Sequence, residues 1–122
     1  GLHSGYSHAG GTLNEGQLAP FAAFAQLAAS GKKLMFVSHS SIIPPGYAST
    51  TETANYLIAS LNGKPRPSKP RASDPFGLEL VSWFVKDDFH VRGFAGNGKL
   101  DHCAHFGVYR DVLRFHLARR WR

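Results

Sequence analysis

Apolar and polar positions along the chain divide it into alternating helical and extended segments. Residues 1–17 are rich in Gly, Ser, His and Asn, show no apolar period, and read as a loop. Thr12 and Glu15 have the spacing of a capping box, and Pro20 suits the first turn of a helix, where its missing N–H costs nothing. Phe21, Phe24, Ala25, Leu27 and Ala28 then recur at helical spacing until Gly31 ends the run. The next stretch, Lys33-Leu34-Met35-Phe36-Val37-Ser38, is continuously apolar at its centre. That pattern predicts a strand buried on both faces of a parallel sheet.

A polar turn, Ser38-His39-Ser40-Ser41, is expected next. Ser49 and Glu52 form a second capping box, which opens a helix through Ala54, Leu57, Ile58 and Leu61 that stops at Asn62-Gly63. Residues 64–75 mix prolines with charges and predict an exposed loop. Between 78 and 94, Leu78, Leu80 and Trp83 to Val85 are separated from Phe89, Val91 and Phe94 by polar Lys86-Asp87-Asp88, which predicts two strands and a tight turn. After a Gly-rich loop at 93–98, Asp101 is expected to cap a last helix with Phe106, Tyr109, Val112, Leu113, Phe115 and Leu117 on its apolar side.

Strands alternating with helices predict an α/β sheet with helices on its faces. The parallel strands are too few for a complete sheet, so at least one neighbour of the 33–38 strand is expected from another chain or segment. The 122 residues fit a single domain spanning 1–122, and the apolar fraction of 43% is ordinary. A domain this small leaves much apolar surface wet, so the isolated chain is expected to be unfolded or aggregated without a partner.

Composition narrows the function classes. The net charge of +6 and a pI near 9.8 raise nucleic-acid binding. However, the cations sit in the Pro-rich stretch (Lys64, Arg66, Lys69, Arg71) and at the end (Arg119, Arg120, Arg122), as in a solvated loop and tail. No nucleic-acid partner is expected. A lone Cys103 forms no internal disulfide. No apolar run approaches the roughly 20 residues of a membrane span. The opening Gly1-Leu2-His3-Ser4-Gly5-Tyr6, without Met or leader, has the look of a processed terminus.

Chemistry concentrates in two places. Asp101-His102-Cys103-Ala104-His105 stands where a helix opens after a strand, and ligand groups in open α/β sheets collect at strand ends. Histidine titrates near neutrality, as a general base must, although surface or capping histidines are the plainer account of the same residues. Ser38-His39-Ser40-Ser41 follows the buried strand but holds no acid, and a hydrogen-bonded turn of small polar groups explains it as well. His102 and His105, three apart with Asp101 beside them, share a helical face and suggest a metal site only if a third ligand comes from a distant histidine. A Cys103 nucleophile lacks a separate acid. Neither the Gly-x-Ser-x-Gly elbow nor a phosphate-loop pattern is present, and no cofactor is expected.

In topology these segments resemble, in order, the C-terminal half of an α/β-hydrolase. Residues 32–44 are similar to the penultimate core strand and the loop after it, 49–61 to the following helix, and Phe89-His90-Val91-Arg92-Gly93-Phe94 to the last core strand. Residues 101–121 are similar to the histidine loop and C-terminal helix. The resemblance implies a mostly parallel sheet completed by an N-terminal partner segment that carries the nucleophilic serine and the oxyanion amides. It implies serine-hydrolase chemistry on a small-molecule ester or amide, with His102 as base and His105 as second choice. The chain departs from the family pattern at Ser40 and Ser41, where an acid is usual; either the triad acid lies upstream of Gly1, or the triad is not a standard one. The alternative class is a non-catalytic α/β binding module, or a His-based metal-binding domain.

Overall fold

A computed structural model describes residues 2, 4–6, 12–69, 71 and 77–120. The chain runs α1 (Glu15–Ala29), β1 (Met35–Ser40), α2 (Thr50–Ser60), β2 (Arg66–Pro67), β3 (Leu80–Lys86), β4 (Phe89–Phe94) and α3 (Lys99–Val112). The last helix continues through a π-helical stretch, Leu113–Leu117, into Ala118–Arg120. One four-stranded sheet has the order β1-β4-β3-β2.

The fold is α/β, as expected, but the sheet is mixed rather than mostly parallel. β1 and β4 run parallel, with Met35 opposite Phe89 and His39 opposite Gly93, whereas β3 pairs antiparallel with both β4 and β2. The hairpin is the cause. Asp87 takes a positive φ of 51°, so two residues suffice to turn the chain from β3 into β4, and so short a link permits only antiparallel pairing.

Period two assigns the two faces of the sheet. Val37, Phe89 and Val91 pack with Ala25 and Ala28 of α1 and Ala54, Leu57 and Ile58 of α2. On the opposite side Phe36, Leu80 and Phe94 meet Ala104, Val108 and Val112 of α3. The sheet is thus sandwiched between α1 and α2 on one face and α3 on the other. Chain leaving β1 crosses to the α2 face, and chain leaving its parallel neighbour β4 crosses to the α3 face. A crevice opens where such connections diverge, beyond the carboxyl ends of the strands.

Several boundaries differ from expectation for local reasons. α1 starts at Glu15, capped by Asn14, whose side chain accepts from the Gln17 amide at 3.3 Å, rather than by a Thr12–Glu15 box. Pro20 lies inside this helix, and its missing N–H leaves the carbonyl of exposed Gly16 to solvent. The second box is present: the Ser49 hydroxyl accepts from the Glu52 amide at 3.1 Å, and the Glu52 carboxylate accepts from the Ser49 amide at 2.7 Å. α3 begins at Lys99, so Asp101 is not its N-cap. Its carboxylate instead reaches back to the Gly98 amide at 2.9 Å, the return half of a capping box.

The expected polar turn at 38–41 is the largest difference. Ser38, His39 and Ser40 are strand residues and are buried. The expected loop at 64–75 contains β2, while Pro70 and residues 72–76 lie outside the described residues, as do His3, Ser7 and His8 of the opening cluster and Trp121 and Arg122 at the end.

Candidate functional site

The buried polar end of β1 is explained by the helices on either side of it. α2 opens with two threonines that reach back to the strand: the Ser40 amide donates to Thr50 Oγ1 at 3.3 Å, and Thr51 Oγ1 donates to the Ser40 carbonyl at 2.7 Å. These backbone groups lie on the edge of β1 away from β4, where no strand of the described residues follows, so side chains substitute for a missing ladder. His39 Nδ1 stands 2.9 Å from Thr51 Oγ1. Thr51 has one proton and gives it to a carbonyl that can only accept. The histidine must therefore donate, so neutral His39 carries its proton on Nδ1 and a bare lone pair on Nε2.

Gly93, opposite His39 on β4, makes room for that ring. A Cβ at 93 would lie 2.6 Å from His39 Nε2 and collide with Ser82 Oγ as well. The ring is 6% exposed, and burial, followed by the nearby charge of His105, lowers its pKa from 6.5 to about 4. His39 is accordingly neutral at pH 7.

On the other face, His105 of α3 turns its Nδ1 to Ser38 Oγ at 2.9 Å and packs its ring edge-to-face on Phe94, centroids 5.5 Å apart. His105 is 9% exposed and Ser38 2%. Burial, first among several causes, also lowers the pKa of His105. Its Nε2, like that of His39, is buried without a hydrogen-bond partner. An unpaired polar atom in that position costs about 1–3 kcal/mol, and such groups call for a specific explanation.

These groups meet around a cavity of about 190 Å³ at the carboxyl end of β1, walled by Ser38, His39, Ser40, Thr50, His102, His105, Phe106 and Tyr109. This is the crevice that the diverging connections create. His102 is exposed, on the first turn of α3, and His105 lies one turn further in. Sequence reading placed His102 and His105 at a helix start beyond a strand end and weighed Ser38-His39-Ser40-Ser41 as either a polar cluster without an acid or a hydrogen-bonded turn, but it did not single out Thr50 or Thr51. Nothing local to residues 38–51 signals that those side chains answer one another.

Along the open edge of β1, a second, broader groove of about 530 Å³ is lined by Leu2, Pro20, Phe21, Phe24, Met35, Phe36 and Tyr109. Phe21 and Phe24 remain 42% and 40% exposed, and Phe106 on α3 is 76% exposed.

Other candidates are less developed. Among the described residues, no three or more His, Cys, Asp or Glu side chains come together as metal ligands. Cys103 is exposed on α3. Among the described residues, no helix is long and apolar enough to cross a membrane. The cations of the Pro-rich stretch are exposed, with the Arg66 guanidinium 5.2 Å above the Trp83 ring. Comparison with protein-family models, with curated proteins and with solved structures finds no match to this chain.

Proposed function

We propose that this chain contributes the histidine side of an acyl-hydrolase active site, in which His105 is the base and Ser38 holds it. The observation that carries this reading is the Ser38–His105 contact at the carboxyl end of the parallel pair. A catalytic imidazole needs one nitrogen anchored and the other free to take a proton. Nδ1 of His105 is anchored by a residue of β1, and Nε2 has no partner. In the resemblance to α/β-hydrolases an acid is usual at the positions of Ser40 and Ser41, whereas here the histidine is held by Ser38, two residues earlier and inside β1.

The chemistry follows from that substitution. With its proton on Nδ1, His105 donates to the Ser38 hydroxyl and keeps a lone pair on Nε2. It accepts the proton of a serine hydroxyl as that oxygen attacks the carbonyl of a small ester or amide, then returns it to the leaving group. A neutral hydroxyl orients the ring but does not offset the imidazolium charge, so His105 is a weaker base than one backed by a carboxylate. Burial lowers its pKa, which favours the neutral, proton-accepting form. His102, at the exposed rim, remains the second candidate.

The nucleophile belongs to a partner segment that extends the sheet past β1. Support for that extension is the edge of β1, which among the described residues meets no further strand and is capped at Ser40 by threonine side chains, beside a groove lined by Phe21, Phe24 and Phe36. The same 2.9 Å contact favours a second reading, in which the Ser38 hydroxyl donates to Nδ1 and is itself the nucleophile.

Fluorophosphonate labelling of the whole protein, with the modified peptide located by mass spectrometry, separates the two. Label on a serine outside residues 1–122 that vanishes in His105→Ala supports the first reading, and label on Ser38 supports the second. Absence of label, or label unaffected by His105→Ala and by His102→Ala, refutes both.

A further inference from the structure

We propose that the outer face of α3 docks on an anionic lipid surface. Ala104, His105, Val108 and Val112 turn one side of this helix to the sheet, so helical spacing fixes what the opposite side presents. Lys99, Cys103, Phe106, Arg110 and Leu113 recur at intervals of four and three residues and form one outward stripe, since Leu113 closes α3 with helical backbone angles. All five are exposed, Phe106 to 76% and Leu113 to 55%, and Leu100 on the flank of the stripe reaches 86%. A single exposed apolar residue needs no explanation, but large ones gathered on one helix face mark a surface that meets something.

Charge selects the partner. Lys99, Arg110 and Arg114 stand among these apolar side chains, and all three are exposed. Of the two acids of α3, Asp101 reaches back to the Gly98 amide, and Asp111 lies off the stripe with one oxygen 3.8 Å from Arg110. Lys99 and Arg114 therefore carry the excess positive charge, and the chain's net charge of +6 adds attraction at longer range. Apolar tips that enter the acyl boundary, with cations at the level of the headgroups, are what a helix lying on an anionic bilayer requires. A second copy of the chain would set these cations against one another, and nucleic-acid phosphates would leave Leu100, Phe106 and Leu113 in water. Phe106 also walls the cavity at the end of β1, so docking brings the mouth of that cavity to the lipid. Docking stands whether or not His105 acts as a base.

The test is sedimentation of the whole protein with vesicles of phosphatidylcholine alone and of phosphatidylcholine mixed with phosphatidylglycerol. The protein should pellet with the anionic vesicles only, and added salt should weaken the association. Phe106→Ser combined with Leu113→Ser should lower the partitioning by roughly tenfold or more, the loss expected when two partly inserted apolar side chains stay in water. Lys99→Glu combined with Arg114→Glu should lower it as strongly. All four positions are exposed, so both variants should keep the wild-type urea midpoint. A bimane attached to Cys103, within the stripe, should shift to the blue on anionic vesicles. Failure to pellet, equal pelleting with neutral vesicles, undiminished pelleting of the serine variant, or a bimane spectrum that does not move would each overturn the inference. So would a dimer that the serine variant converts to monomer, because the stripe would then join two copies of the chain.

Discussion

His39→Gln isolates the effect of a histidine held neutral inside the fold. In the unfolded chain His39 takes up a proton near pH 6.5, but in the folded protein burial delays this until about pH 4. Between those limits the unfolded state binds more protons, so stability falls as pH falls. At about 1.4 kcal/mol per pH unit, His39 alone accounts for a loss of about 3 kcal/mol across the window. That is a large share of the 5–15 kcal/mol typical of a domain. Glutamine keeps a donor for Thr51 and does not titrate. Urea unfolding followed by tryptophan fluorescence, in steps from pH 7.5 to 4, should show the wild type losing ground to the variant by about 3 kcal/mol, whatever their offset at pH 7.5. His90, whose pKa burial also lowers, steepens both curves alike and cancels in the comparison. Parallel curves for the two proteins would refute the burial of a neutral His39, and with it the tautomer argument.

Two further substitutions probe the supports of the site. Ser49→Ala removes both the hydroxyl that caps α2 and the 2.8 Å bond it donates to Glu52, and should cost about 1–2 kcal/mol in chemical denaturation. Because the Ser49 contacts hold the Glu52 carboxyl below its usual range, the same variant should also raise the Glu52 pKa, read by carboxyl NMR. Gly93→Ala drives a methyl group into Ser82 and the His39 ring, and should cost about 1–3 kcal/mol in thermal or urea unfolding while disturbing the His39 resonances first.

Residues 49–61 show what one sequence reveals on its own. The Ser49–Glu52 box and the apolar period through Leu57 and Ile58 lie within a few residues of one another, and both appear in α2 as read. The two strands around Asp87-Asp88 were legible for the same reason, since a tight turn and its flanking alternation are local. The start of α1 was misread because Thr12 and Asn14 both offer capping side chains, and sequence spacing does not choose between them. Asp101 was misplaced similarly: a glycine N-cap has no capping side chain, so the first strong polar residue drew the boundary three positions too late.

The candidate site divides along the same line. Composition and order brought His102 and His105 to a helix that follows the last strand, and the sequence by itself determined an α/β fold built from a small set of strands. Only the tertiary structure decided that Ser38, His39 and Ser40 are interior strand residues, because their burial depends on Thr50, Thr51 and His105 answering their polar atoms. Ser38 and His105 are 67 positions apart and meet only because β1 and β4 lie side by side while α3 crosses to the face Ser38 occupies. Hydrophobic periodicity records which side of an element is covered. It does not record which distant donor will face which acceptor, and in this protein that pairing fixes the tautomer of His39, anchors His105 and shapes the cavity between them.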